Sequence, residues 1–305
     1  MNKLNILVKR ERALGDVLLT IPAIRGLKEK YSGCRITFLT RKNSAEVISG
    51  NPLIDEIIFF EENQVDYNNY DLFFDLEYES RPYMHMVDAY CQVADVNPSS
   101  KELFIVLDQV EIEFAKNYLA DYGYNSEQIL IGLHSGGSSW SCKLWGLENF
   151  RYVLNFFKEK FGFRIVELGA GDCKSLGLDM NLIGQTSIKQ AAAILKHCDL
   201  FLGVDSGLLH LAAAVKTPIV AVFGCTDPDK VLPFNGISLG IQSDGDCTGC
   251  RHWPPFPRTY AQCTRDRIYC LEEISREEVI NGVWEVLLKT GRLANKMKLS
   301  FRGEF

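Results

Sequence analysis

No apolar run in the 305-residue chain is long enough to cross a bilayer, and the opening stretch MNKLNILVKRERALGD turns charged at Lys9 and Arg10. Neither a membrane span nor a secretory leader can be drawn from it, and the expectation is a cytoplasmic protein. A positive field is missing too: Asp and Glu outnumber Lys and Arg by 39 to 33, for a formal net charge of −6. That balance argues against a protein that coats nucleic acid through a broad basic face. No G-x-G-x-x-G follows the first strand of either half, which disfavours a dinucleotide-dependent oxidoreductase, and no Walker A loop occurs. Short-period repeats are absent as well.

What the chain does have is 47% hydrophobic and 24% charged content, in a length that outgrows one core. Short β-rich runs alternate with longer helical patterns, the mark of an α/β chain with parallel sheets and crossover helices. In the first half the predicted strands are LNILVK, RITFLT, EIIFF, DLFFDL and LFIVL. Val17, Leu18, Ile21, Ile24 and Leu27 keep the spacing of one buried helix face. Pro22 sits inside that pattern, where an interior proline costs about 3 kcal/mol, so a kink or a later helix start is expected. A second series begins after DYGYNSEQ with ILIGLHS, RIVELG, DLFLGV and PIVAVFG as strands, joined by helices from Leu147, in SIKQAAAILKHC and in SGLLHLAAAV. The polar stretch 122–128 divides the chain into domains 1–128 and 129–305, with a cleft expected between them.

Four strand-end stretches carry the chemistry. The first strand leaves through Gly15 and at once presents Asp16, a carboxylate that would repel phosphate from the helix start. Asp16 either caps that helix or faces a group that must lose a proton. In VDSGLLHLAAA, Gly207 allows close backbone approach and His210 lies one turn into the helix; equally, Asp205 or Ser206 is an N-cap and His210 a buried histidine. HSGGSSWSCKLW offers Ser138, Ser139 and the mobile charge of Lys143 as a phosphate grip, or is a plain flexible loop. Asp172 in ELGAGD can accept from ribose hydroxyls or cap a helix.

Together these stretches resemble the glycosyltransferase family of bacterial ADP-heptose transferases. ILVKRERALGDVLLTIPAIRGLKEKY is similar to its opening strand, Gly-Asp turn and helix, and IGLHSGGSSWSCKLW to its donor-phosphate loop. The most specific match is NLIGQTSIKQAAAILKHCDLFLGVDSGLLHLAAAVKTPIVAVFGCTDP. The resemblance implies a GT-B architecture, two Rossmann-like domains facing across a cleft, and an inverting transfer from ADP-heptose without a catalytic metal. It implies Asp16 as the base and Lys143, Ser138, Ser139, Ser206, Gly207 and His210 at the leaving diphosphate. Asp205 is carried over as a donor-site residue, with Asp172 at the ribose and Thr226 and Asp227 bordering the nucleotide. The acceptor it implies is a glycan, a lipid-linked glycan such as the lipopolysaccharide core, or a protein hydroxyl.

Ten cysteines without an export signal point to thiols or metal ligands. Cys247, Cys250, Cys263 and Cys270 fall within 24 residues and suit a structural zinc or iron site, or else are reduced thiols or a redox pair. Glu77, Glu79 and Arg81 follow a predicted strand end and can meet the acceptor, or form a solvated loop. The tail with Lys289, Arg292, Lys296, Lys298 and Arg302 can approach the anionic inner-membrane surface, or is simply solvated. A module that binds a nucleotide-sugar or metal without turnover is the alternative class.

Overall fold

The computed structural model describes residues 3–62, 64–137, 140–253, 263 and 265–293. The first half supplies four strands, β1 (Asn5–Lys9), β2 (Arg35–Thr40), β3 (Glu56–Phe59) and β4 (Leu72–Asp75). They form one parallel sheet in the order β3-β2-β1-β4, with Val8 paired to Phe38 on one side and Phe74 on the other. Its helices are α1 (Leu14–Leu18), α2 (Ile21–Lys30), α3 (Lys42–Ala45), α4 (Met86–Val93) and α5 (Gln109–Asp121).

A second parallel sheet takes β5 (Leu130–His134), β6 (Arg164–Glu167), β7 (Met180–Asn181), β8 (Leu200–Val204), β9 (Ile219–Phe223) and β10 (Ser238–Gln242). Their order is β10-β9-β8-β5-β6-β7. The accompanying helices are α6 (Leu147–Phe161), α7 (Ile188–His197), α8 (Gly207–Ala214), α9 (Pro228–Val231), α10 (Tyr269–Glu272) and α11 (Arg276–Lys289). One apolar core joins Ile6, Val8 and Phe38 of the first sheet to Ile194, Leu209 and Leu211 on α7 and α8, so the halves pack against each other. A second core lies between the other face of the second sheet and α6 and α11, around Phe150, Phe157, Val283 and Leu287.

The proline expectation is met by a restart. After α1 the Thr20 hydroxyl donates to the Val17 carbonyl at 2.7 Å, and α2 begins at Ile21 with Pro22 in its first turn, where no amide hydrogen is needed. LFIVL, by contrast, is not a strand. Leu103 is clamped by one side chain: Asn235 Oδ1 accepts from its amide at 2.8 Å and Nδ2 donates to its carbonyl at 2.9 Å. The apolar side chains that followed from a strand reading instead pack directly, Phe104, Ile105 and Leu107 lying against the shared core.

Each sheet changes winding direction once, between β1 and β4 and between β5 and β8. Loops leaving neighbouring strands at such a point diverge, and the crevice they leave is where open α/β sheets take ligands.

Candidate active site

At the first crevice the organising group is Arg10, directly after β1 and only 4% exposed. Its guanidinium donates to the Leu76 carbonyl at 3.1 Å and Glu79 Oε2 at 3.1 Å, both beyond β4, and to Asp16 Oδ1 at 2.6 Å. Tyr90 lies beneath it, with the ring centroid 5.2 Å from Cζ. Burial would lower the Arg10 pKa, but Tyr90, Asp16 and Glu79 raise it, so the cation is permanent. Burial also pushes the Glu79 carboxyl up, and the Arg10 charge and hydrogen bonds outweigh it to bring the pKa down to about 2. Asp16 caps nothing: α1 has Ala13 at its N-cap position without a side-chain bond, and the carboxylate turns to Arg10.

The second crevice is built the same way, from the loops after β5 and β8. Lys143 Nζ lies 2.6 Å from Asp205 Oδ2, with the carboxylate side chain 8% exposed. The lysine is therefore ion-paired rather than mobile, and Asp205 is its partner rather than a helix cap. Burial pushes Asp205 up, but Lys143 and then His210 bring it down to about 2. His210, 5% exposed, is held down near 4 by burial, against the pull of Asp205 and Asp16, and is a neutral imidazole at pH 7.

Three buried polar atoms here have no partner among the described residues: Ser206 Oγ, His210 Nδ1 and His252 Nε2. Buried polar groups are nearly always satisfied, so orphans gathered around one ion pair mark a place for a polar ligand. Ser206 holds the N-cap position of α8 without using its side chain as a cap, which leaves the hydroxyl and the first helical amides available.

The two crevices meet. A Cβ on Gly15 would stand 2.6 Å from His210 Cδ2 and 3.4 Å from Gly207 Cα, and one on Gly207 would stand 2.6 Å from Leu14 Cγ. Glycine at both positions lets α1 and α8 touch, which places the turn carrying Asp16 against the helix carrying His210. A second bridge joins Tyr78, beyond β4, to His252: Tyr78 Oη and His252 Nδ1 are 2.6 Å apart, and each is 3.1 Å from the Pro82 carbonyl. His85 makes a third, donating from Nε2 to the Leu232 carbonyl at 2.8 Å while Nδ1 accepts from the Val87 amide.

Other expected residues fall in varied places. Ser138 and Ser139 lie outside the described residues, as do Lys296, Lys298 and Arg302. Asp172 is exposed, its Oδ2 3.4 Å from where a Gly137 Cβ would be, on the rim beside the loop after β5. Asp227 is a cap, accepting from the Asp229 amide at 2.9 Å at the start of α9. Arg81 pairs with Glu77 at 3.1 Å. In the tail, Lys289 pairs with Glu285, and Arg292 lies 3.3 Å from the buried Asp199.

The Cys270 thiol is pushed up to about 12 by burial and then by Cys247, Cys250 and Cys263. Among the described residues no three His, Cys, Asp or Glu side chains are set as a formed metal cluster. Three groups went unforeseen. Arg10 is one. Trp140 is another, with Lys143 Nζ at 5.3 Å and Arg251 Cζ at 4.4 Å from its centroid. The third is the Cys142–Cys225 contact, where the Cys225 thiol donates to Cys142 Sγ at 3.1 Å and ties the loop after β5 to that after β9.

Comparison with known proteins gives a consistent picture. The sequence model of glycosyltransferase family 9 (heptosyltransferase) matches residues 17–254. Lipooligosaccharide heptosyltransferase 2 of Haemophilus influenzae is 24% identical over 190 residues, 55% of either chain, so the match spans about half the length of that relative. The glycosyl transferase family 9 structure from Veillonella parvula superposes with a TM-score of 0.76 at 20% identity, covering 95% of this chain and 98% of that one. The dodecameric iron-containing heptosyltransferase TibC, from enterotoxigenic Escherichia coli, solved in complex with ADP-D-beta-D-heptose, superposes at 0.70 with 15% identity, covering 95% and 78%. At these identities the superpositions establish the fold, two Rossmann-like halves of the GT-B kind.

Proposed function

The chain belongs to glycosyltransferase family 9, and from that premise we propose that it transfers heptose from ADP-heptose to a hydroxyl acceptor with inversion at the anomeric carbon. In this reading the donor diphosphate lies over the start of α8, among Lys143, Ser206, Gly207 and His210, with Ser138 and Ser139 nearby in the chain. The acceptor occupies the first crevice. Its hydroxyl oxygen attacks the anomeric carbon, the bond from that carbon to the ADP oxygen breaks, and the electron pair leaves on the β-phosphate. The hydroxyl proton goes to Asp16, whose Oδ1 is fixed by Arg10. Lys143 and the α8 amides meet the negative charge as it develops. Asp205 holds Lys143 in place, and Asp172 on the rim faces the ribose.

The observation that carries this reading is the contact of Gly15 with His210 and Gly207, because it sets a carboxylate beside an anion-binding helix start with room for nothing bulkier than glycine between. The acceptor is proposed to be the lipopolysaccharide core or another surface glycan, as the name of the Haemophilus relative suggests, with the chain working in the cytoplasm near the inner membrane. Cys247, Cys250 and Cys263 all raise the Cys270 thiol, which suits a structural iron or zinc that would cross-link the four cysteines and take no part in the reaction. Elemental analysis of purified protein tests that: about one metal per chain is expected, and a metal-free folded protein would refute it.

Mass spectrometry of products tests the transfer. With ADP-heptose and a panel comprising heptose-deficient lipopolysaccharide and a serine-rich protein, the lipopolysaccharide should gain one heptosyl residue. A gain confined to the protein would move the acceptor to a Ser or Thr hydroxyl. Donor binding with no transfer to any acceptor would favour a binding module.

A further inference from the structure

Arg10 serves two carboxylates at the first crevice. Its Nη2 donates to Asp16 Oδ1 at 2.6 Å and lies 3.5 Å from Glu79 Oε1, while Nη1 donates to Glu79 Oε2 at 3.1 Å. The guanidinium cannot swing toward either one, because Nη1 also donates to the Leu76 carbonyl at 3.1 Å and the Tyr90 ring lies beneath it. Glu79 is fixed in turn by the Tyr78 amide, which donates to Oε2 at 2.9 Å. Arg12 Nε lies 3.2 Å from Glu79 Oε1, but that side chain is exposed, and water screens its charge far more than that of the buried Arg10.

A carboxylate bonded to a buried cation is well placed but reluctant to take a proton, because the cation favours its charged form. Were Asp16 the sole anion on Arg10, protonating it would turn a neutral pair into an uncompensated buried cation, a costly state. With Glu79 on the same guanidinium, the three groups carry one net negative charge before the proton arrives and none after it, and an intact Arg10–Glu79 pair remains. Glu79 does not compete for that proton: burial pushes its carboxyl up, but the Arg10 charge and hydrogen bonds outweigh burial and bring it down to about 2. Tyr78, Tyr90 from α4 and His210 from α8 face the same carboxylates. Burial keeps all three uncharged at neutral pH, raising the two phenols and holding the imidazole near 4.

We propose that Glu79 is a positioning residue for the transfer: by sharing Arg10 with Asp16, it lets the base accept the acceptor's proton without stranding a buried cation. The proposal rests on the assignment of Asp16 as the base. The proton passes from the acceptor hydroxyl to Asp16 as the oxygen bonds to the anomeric carbon and the electron pair of the broken bond leaves on the β-phosphate. Arg10 and Glu79 exchange no proton and touch no substrate. Their part is to fix the carboxylate and to balance its charge in both protonation states.

The test is single-turnover transfer by the full chain across pH, from ADP-heptose to heptose-deficient lipopolysaccharide or, if that is what gains heptose, to the serine-rich protein, with ADP affinity measured alongside. Glu79→Gln should slow transfer at neutral pH about tenfold with ADP affinity unchanged. The acid limb of the profile, which reports protonation of the base, should move about one pH unit lower. Glu79→Asp, which keeps the charge, should return the limb to its wild-type position. Thermal midpoints over the same pH range establish that each variant is folded, and should Glu79→Gln not fold, Glu79→Ser carries the same readouts. An unchanged rate and limb in the folded neutral variant, or a slower rate with the limb unmoved, would overturn the role of Glu79 while leaving Asp16 as the base. Transfer retained by Asp16→Asn, or a wild-type chain that transfers to neither acceptor, would overturn both.

Discussion

Asp16 and His210, on helices that touch, illustrate how differently two titratable residues are treated. Asp16 is a quarter exposed and keeps a permanent cation, Arg10, at 2.6 Å. His210 is sealed, and burial overrides two carboxylates to keep it neutral. That has a consequence for stability. The folded His210 takes a proton only near pH 4, whereas the unfolded residue takes it near 6.5, so the unfolded state binds more protons between these values. The histidine's contribution is fully present above about pH 6.5 and is lost as pH falls toward 4, up to about 3 kcal/mol. Urea unfolding at a series of pH values should show His210→Gln losing stability over this window less steeply than the wild type, and identical slopes would contradict a buried neutral imidazole. Asp16 was readable in the sequence, since an acid at the first strand-end turn is conspicuous. Arg10 was not, because a basic residue after a strand reads as an end at the surface until Leu76 and Glu79 are folded over it.

Helices α1 and α8 depend on a pair of glycines that propensity alone would disfavour. Gly15→Ala would drive a methyl group to 2.6 Å from the His210 ring and 3.4 Å from the Gly207 backbone. Overpacking of this sort costs about 1–3 kcal/mol, relieved by turning the buried His210 ring or by parting the helices. Denaturant unfolding and turnover should both fall, with kcat reduced more than ADP affinity. Gly171→Ala is the control, since nothing lies within 4 Å of the position its Cβ would take. A Gly15→Ala enzyme indistinguishable from that control would mean the two helices do not need this contact. At this level most strands followed from alternating patterns and apolar runs, and the α2 restart followed from Pro22. LFIVL failed for a physical reason: an apolar run shows that side chains will be buried, not that a neighbouring strand will supply the hydrogen bonds. Asn235, 132 residues away, supplies them instead.

Two doubly wound sheets, each with one change of winding, place four loops at two crevices, and the shared core brings those crevices together. Ion pairs of the same design occupy both: Arg10 links the exits of β1 and β4, and Lys143–Asp205 links those of β5 and β8. Tyr78–His252 and His85–Leu232 then cross between halves. None of these long-range pairings is visible in local sequence, which is why the strand-end loops stand out on their own while their partners do not. The division of labour across the molecule is the central claim: the first half takes the proton and the second holds the nucleotide. It is tested by measuring heptosyl transfer and ADP affinity side by side in Asp16→Asn and Lys143→Ala. Asp16→Asn should lose transfer by at least about a hundredfold with ADP affinity unchanged, and Lys143→Ala should bind ADP about tenfold more weakly and turn over slowly. Transfer retained by Asp16→Asn, or ADP affinity lost there and kept in Lys143→Ala, would contradict it.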